Sequence, residues 1–151
     1  MTTTDTPEIA LVRRFFALIN SDRFDAAIDL LAADVLYHNM PLPEMSGREN
    51  VRQFHKAFGV GDRVRIDWRL LRIAQDGDTV LTERFDVFEG DNGARIELPT
   101  MGSLRVEGGF IVEPLLDKRL RFEFALQFSN HLGHDVAAQA GCLGGDRSVD
   151  L

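Results

Sequence analysis

The chain has 151 residues, 44% of them hydrophobic and 27% charged, and a formal net charge of −7 at pH 7. That size and composition suit one globular domain with a real core rather than a disordered chain. The acidic balance excludes a general binder of nucleic acid or anionic membrane, whose phosphates demand a basic face, and no apolar run is long enough to span a bilayer. The opening residues, MTTTDTPEIA, have neither the basic start nor the apolar stretch of a secretory signal. The single cysteine, Cys142, cannot form an internal disulfide, so a reducing, cytoplasmic setting is expected. It lies in AGCLGG, away from any histidine motif, and reads as incidental.

The first helix is predicted to start at Thr6 or Pro7, an N-cap residue followed by a proline suited to the first turn. Ile9, Val12, Phe15, Phe16 and Ile19 then form an apolar stripe at helical spacing. NSDRFD interrupts it, and Phe24, Ala27, Leu30 and Leu31 indicate a second, short helix. DVLYHN reads as a strand and PLPEM as a loop. Ser46 and Glu49 have the spacing of a capping box, which predicts a third helix with Val51, Phe54 and Phe58 inward. After GVGD the period changes from helix to strand. In RVRIDWRLLRIA, Val64, Ile66, Trp68 and Leu70 alternate with Arg65, Asp67, Arg69 and Leu71. QDGD is a turn, TVLTERFDVFE a strand and GDNG a turn. ARIELPTMGSLRVE is a long strand with bends expected at Pro99 and Gly102, and GG turns into FIVEPLLD. Helices followed by an antiparallel meander predict an α+β fold, with helices packed on one face of a strongly curved, mainly antiparallel sheet that forms a cone with an internal pocket. One domain over residues 1–151 is expected, with its ordered core at about 6–128 and a Gly- and Ala-rich tail.

Two short stretches carry candidate chemistry. In TERFDVF, strand alternation puts Thr82, Arg84, Asp86 and Phe88 on one face and Leu81, Glu83, Phe85 and Val87 on the other. Phe85 and Val87 are expected in one apolar layer, with Val80 and Phe88 lining the other. If the Arg84–Asp86 face is solvent, the pair is surface decoration. If it lines a pocket, the pair is either a structural ion pair or a carboxylate tuned for acid–base work. In LYHN, Tyr37 and Asn39 share a face and His38 takes the other. A phenol beside a carboxamide can hold one water. The alternative is a core tyrosine next to an asparagine that starts a loop. His131 and His134, in HLGH, lack the pattern of a zinc site. The chain has no nucleophile elbow, P-loop or dinucleotide fingerprint.

LYHNMPLPEMSGRENV, VLTERFDVF and the spacing between them resemble the limonene-1,2-epoxide hydrolase family, a group of cystatin-like α+β cones allied to ketosteroid-isomerase-like proteins. The resemblance runs from about Pro7 to about Asp117. It implies hydrolysis in one step with no metal or other cofactor. Carried over by motif, Tyr37 and Asn39 position water, Arg84 bridges two carboxylates, and Asp86 is the acid that protonates the epoxide oxygen. It also implies a homodimer joined through the exposed sheet face, with a small lipophilic epoxide and water as partners and neither nucleic acid nor membrane. The sequence departs from the family at the base. The family carries W-R-D-Y-F-D on its last strand where this chain reads IVEPLLDKRLRF. A gapless alignment puts Leu116 at the base position and Asp117 one residue late, facing away unless the strand bulges near Pro114. A two-residue deletion aligns Asp117 with the motif's second aspartate instead and leaves no base. Glu113 has a similar phase problem. Asp117 is taken as the base on the bulged model, and KRLRFEFALQF is expected over the pocket mouth. The competing functions are a non-catalytic binding protein on the same cone and a ketosteroid-isomerase-like proton-transfer enzyme.

Overall fold

A computed structural model of the protein describes residues 4–40 and 42–118, with side chains described as far as Leu115. Helix α1 covers Pro7–Asn20. Thr6 caps it by accepting a hydrogen bond from the Ile9 amide, and Pro7 stands at the first position, where its missing N–H costs nothing. Its buried face is Val12, Phe15, Phe16, Leu18 and Ile19. Helix α2 (Phe24–Ile28) adds Phe24, Ala27 and Ile28 to the same core.

Strand β1 (Leu36–Asn39) follows, then the two-residue strand β2 (Met45–Ser46), helix α3 (Arg48–Ala57) and four long strands: β3 (Val64–Asp76), β4 (Thr79–Gly90), β5 (Arg95–Glu107) and β6 (Phe110–Lys118). They form one sheet in the order β2-β1-β6-β5-β4-β3. The meander is antiparallel throughout, and β1 joins its far edge in parallel with β6. The α+β class is therefore as expected, with a mixed, curved and unclosed sheet. Gly108 and Gly109, both at positive φ, make the two-residue turn between β5 and β6.

Four local expectations need correction. The third helix is not held by a Ser46–Glu49 capping box: its N-cap is Gly47 at φ 91°, with no side-chain cap. The amides of Gly47 and Arg48 donate instead to the carbonyls of Val35 and Ala33, so the first turn is satisfied by the chain leading into β1. The β4–β5 ladder runs without a register break through Pro99 and Gly102. Phe85 is 41% exposed, with Leu81 at 45%, so it belongs to no covered apolar layer of the described residues, whereas Val87 is buried. Finally, the irregularity in β6 falls opposite Arg105 and Val106, where Val112 is skipped, ahead of Pro114.

The outermost meander strand, β3, is tied to the end of α1 by the side chain of Asn20. Asn20, at the end of α1, accepts from the Trp68 amide at 2.7 Å and donates to the Trp68 carbonyl at 2.9 Å. An edge strand carries unpaired backbone groups, and this amide pairs two of them. Asn20→Ala is expected to lower stability by about 1–3 kcal/mol, the cost of stranding two partly buried backbone groups. Urea denaturation checks it, and a midpoint unchanged from the parent protein would show that solvent serves Trp68 equally well.

Candidate active site

The side chains that matter converge from β1, β3, β4, α1 and α3. Alternation along β4 turns Val80, Thr82, Arg84 and Asp86 inward, all buried, and leaves Leu81 and Phe85 outward. Ladder register sets their neighbours. Arg84 lies between Leu70 and Thr100, and Asp86 between Trp68 and Leu98. Both members of the pair are fully buried. Arg84 Nε donates to Asp86 Oδ1 at 2.9 Å and Nη2 to Asp86 Oδ2 at 3.1 Å, a two-pronged charge-assisted contact. Nη1 donates to Thr82 Oγ1 at 3.0 Å. These three bonds leave one N–H on each terminal nitrogen without an acceptor among the described residues.

Aromatic rings close over the cation. The guanidinium carbon lies 4.9 Å from the Phe16 ring centre and 5.3 Å from that of Trp68. A desolvated guanidinium against aromatic faces gains about 2 kcal/mol, which offsets part of its burial cost. The Phe16 and Trp68 rings themselves meet edge to face at 6.0 Å.

Strand β1 supplies Tyr37 and Asn39, both buried and on one face, as their spacing predicts; His38 is on the other and half-buried. Burial holds the Tyr37 phenol well above its ordinary pKa; nearby Arg84 lowers it and Asp86 raises it. Tyr37 is therefore a neutral hydrogen-bond donor at physiological pH, within electrostatic range of the ion pair. Asn39 Oδ1 and Trp68 Nε1 are buried and have no hydrogen-bond partner among the described residues. One is an acceptor and the other a donor, and buried polar atoms of this kind are rare outside sites that meet water or a ligand.

One member of the site was missed in the sequence. His55, 7% exposed, stands on α3 with its Nε2 3.3 Å from the Tyr37 hydroxyl. Its Nδ1 lies 2.9 Å from the Val51 carbonyl. A carbonyl only accepts, so Nδ1 carries a proton, and in the neutral form of the ring Nε2 is then the acceptor for the Tyr37 O–H. The signal was available: His55 follows Val51 by four residues and so shares its inward stripe.

The last strand provides less. Glu113 is exposed and pairs with Arg105 at 3.1 Å on the surface. From Glu113 to Lys118 the ladder is regular, and it sets Asp117 opposite Met101, in the row of Glu83 and Arg72. Arg84 belongs to the next row, with Leu70, Thr100 and Lys118. The Asp117 side chain, KRLRFEFALQF beyond Lys118, HLGH and Cys142 lie outside the described residues. Among the described residues no three His, Cys, Asp or Glu side chains come together to hold a metal ion, and no helix is long and apolar enough to cross a membrane. An open cleft of about 340 Å³ lies between the start of α1 and the β5–β6 turn, lined by Pro7, Glu8, Leu11, Arg14 and Val106 among others, and neither Tyr37, Asn39, His55, Arg84 nor Asp86 lines it.

The fold and site together define a class: an α+β cone whose helices cover a polar cluster buried against the concave side of its sheet. Residues 12–113 match the SnoaL-like domain, and the chain belongs to that family. Solved structures agree on the fold. An LEH-like epoxide hydrolase from M. tuberculosis is 23% identical, with a TM-score of 0.69 over 84% of this chain and 95% of its own. A candidate polyketide cyclase from Xanthomonas campestris pv. campestris is 21% identical, with a TM-score of 0.65 over 73% of this chain and 88% of its own. A protein of ketosteroid-isomerase-like fold from Catenulispora acidiphila, in complex with trimethylamine, is 19% identical, with a TM-score of 0.65 over 80% and 92%.

Proposed function

We propose that the protein is an enzyme that hydrolyses a small lipophilic epoxide to a vicinal diol, by direct attack of water and without a covalent intermediate. The observation that carries this reading is the Arg84–Asp86 pair, fully buried beneath Phe16 and Trp68. A buried ion pair is a poor device for stability, since an apolar pair of the same volume often does as well. Its placement within electrostatic range of Tyr37, and against Trp68, whose Nε1 is buried with no hydrogen-bond partner among the described residues, favours a chemical role.

In this reading Asp86 gives a proton to the epoxide oxygen as the ring opens. Both its oxygens accept from Arg84, so the proton rides on a remaining lone pair. Arg84 holds the carboxyl group in place, and its spare N–H groups stabilise the developing alkoxide. Tyr37 and Asn39 orient the attacking water. The aromatic rings of Phe16 and Trp68 against the pair suit a terpene-like or other apolar epoxide.

A second reading is a binding protein or a proton-transfer enzyme that adds no water. One observation favours it: Glu113 is exposed, and Asp117 shares a ladder row with half-exposed Met101. Incubating the protein with terpene, styrene and alkyl epoxides in ¹⁸O-labelled water separates the two. Hydrolysis by direct attack yields diol with one solvent ¹⁸O in the first turnover, with enzyme in excess. Epoxides that bind and return unchanged would remove the hydrolase reading in favour of the second.

A further inference from the structure

Direct attack by water requires a group that takes the water's proton, within hydrogen-bond reach or one relay away. No carboxylate with a described side chain stands beside Tyr37 apart from Asp86, whose role in the hydrolase reading is that of the acid. What touches the phenol is an imidazole. We propose that His55, acting through Tyr37, is the proton acceptor for the attacking water; the inference rests on the hydrolase reading above.

Three observations carry it. The His55 Nδ1–H is committed to the Val51 carbonyl at 2.9 Å, which holds the ring in the tautomer with a basic Nε2. That Nε2 is 3.3 Å from the Tyr37 hydroxyl. The two rings meet edge to face at 5.5 Å, and Phe24 and Phe54 pack on the imidazole at 5.4 Å and 5.2 Å, so its orientation is set by packing. Burial keeps Tyr37 protonated and too weakly acidic to hold a negative charge for long, which makes it a conductor of the proton rather than its store.

The step balances as follows. Water oxygen forms a bond to one epoxide carbon while that carbon's bond to the ring oxygen breaks. Tyr37 Oη takes a proton from the water as its own proton passes to His55 Nε2. The ring oxygen takes the proton of Asp86. The products are a neutral diol, an imidazolium and a carboxylate, and exchange with solvent returns the proton from His55 to Asp86. Tyr37 is the residue in contact with the reacting water, and His55 is a positioning residue that acts through it.

His55→Gln provides the test, because the Gln Oε1 can still accept from Tyr37 but cannot keep a proton. The expected result is a kcat lower by about 10²–10⁴-fold with KM nearly unchanged. Tyr37→Phe should fall as far, and the double variant no further than either single one, because both changes cut the same relay. In the unliganded wild type, ¹⁵N NMR of the imidazole should show a protonated Nδ1 and an Nε2 resonance that moves in Tyr37→Phe. An Nε2–H tautomer overturns the proposal whether or not His55→Gln folds. A His55→Gln enzyme that keeps most of its kcat, or losses that add in the double variant, would overturn it while hydrolysis stands. A wild type that forms no ¹⁸O-diol would remove the hydrolase reading and this inference with it.

Discussion

Asp86→Asn is expected to reduce epoxide turnover by at least about 10²-fold, the usual worth of a general acid. The amide is nearly isosteric and keeps one oxygen for Arg84, but it has no acidic proton for the ring oxygen. The same change puts an amide nitrogen, which cannot accept, where one of the two oxygens accepted from the fully buried Arg84, so the melting temperature should fall as well. Far-UV circular dichroism at 25 °C should remain native, which separates loss of chemistry from loss of fold. Retention of most of the wild-type kcat, on an epoxide that the wild type hydrolyses, would show that Asp86 is not the acid.

The largest effect on stability is expected from Arg84→Met. It leaves the Asp86 carboxyl group at zero exposure with both guanidinium bonds gone. Breaking one side of a buried pair typically costs about 3–5 kcal/mol, or on the order of 10 °C in Tm for a domain of this size. Thr82 loses a partner too, since its hydroxyl accepts from Nη1. The informative companion is the double variant Arg84→Met/Asp86→Leu. With no unpaired polar group left to bury, it should recover most of the lost stability and none of the activity. Thermal unfolding of the three proteins, set beside their turnover of the same epoxide, reads both quantities. An active double variant would show that the pair serves packing alone, and an Arg84→Met protein as stable as the parent would mean that water reaches Asp86.

These expectations rest on faces that were legible in the sequence. The rule that alternate strand residues share a side put Arg84 with Asp86 and Tyr37 with Asn39, and all four are buried where it set them. It also separated Leu81 and Phe85 from the pair. It could not say that this outer face stays half exposed among the described residues, because burial depends on what another element brings. His55 shows the same limit from the other side. Its place on the inward stripe of α3 follows from helical period, but its partner lies 18 residues away on β1. Nothing in either segment alone states that the two elements cross at that point.

Local order was thus determined by the chain itself: the cap and stripe of α1, the period change after residue 60, the turn at Gly108 and Gly109, and the shared faces of β1 and β4. Each rests on interactions among residues close in sequence, where backbone geometry fixes the spacing. Tertiary structure decided the remainder. It replaced a capping box by carbonyls of Val35 and Ala33, set the β6 irregularity at Val112 ahead of Pro114, and paired β1 with β6 in parallel. It also laid Phe16 over Arg84 and brought an imidazole to Tyr37. The reason is physical: a helix or strand fixes which side of itself a residue occupies, but only the packing of one element against another fixes what that residue meets.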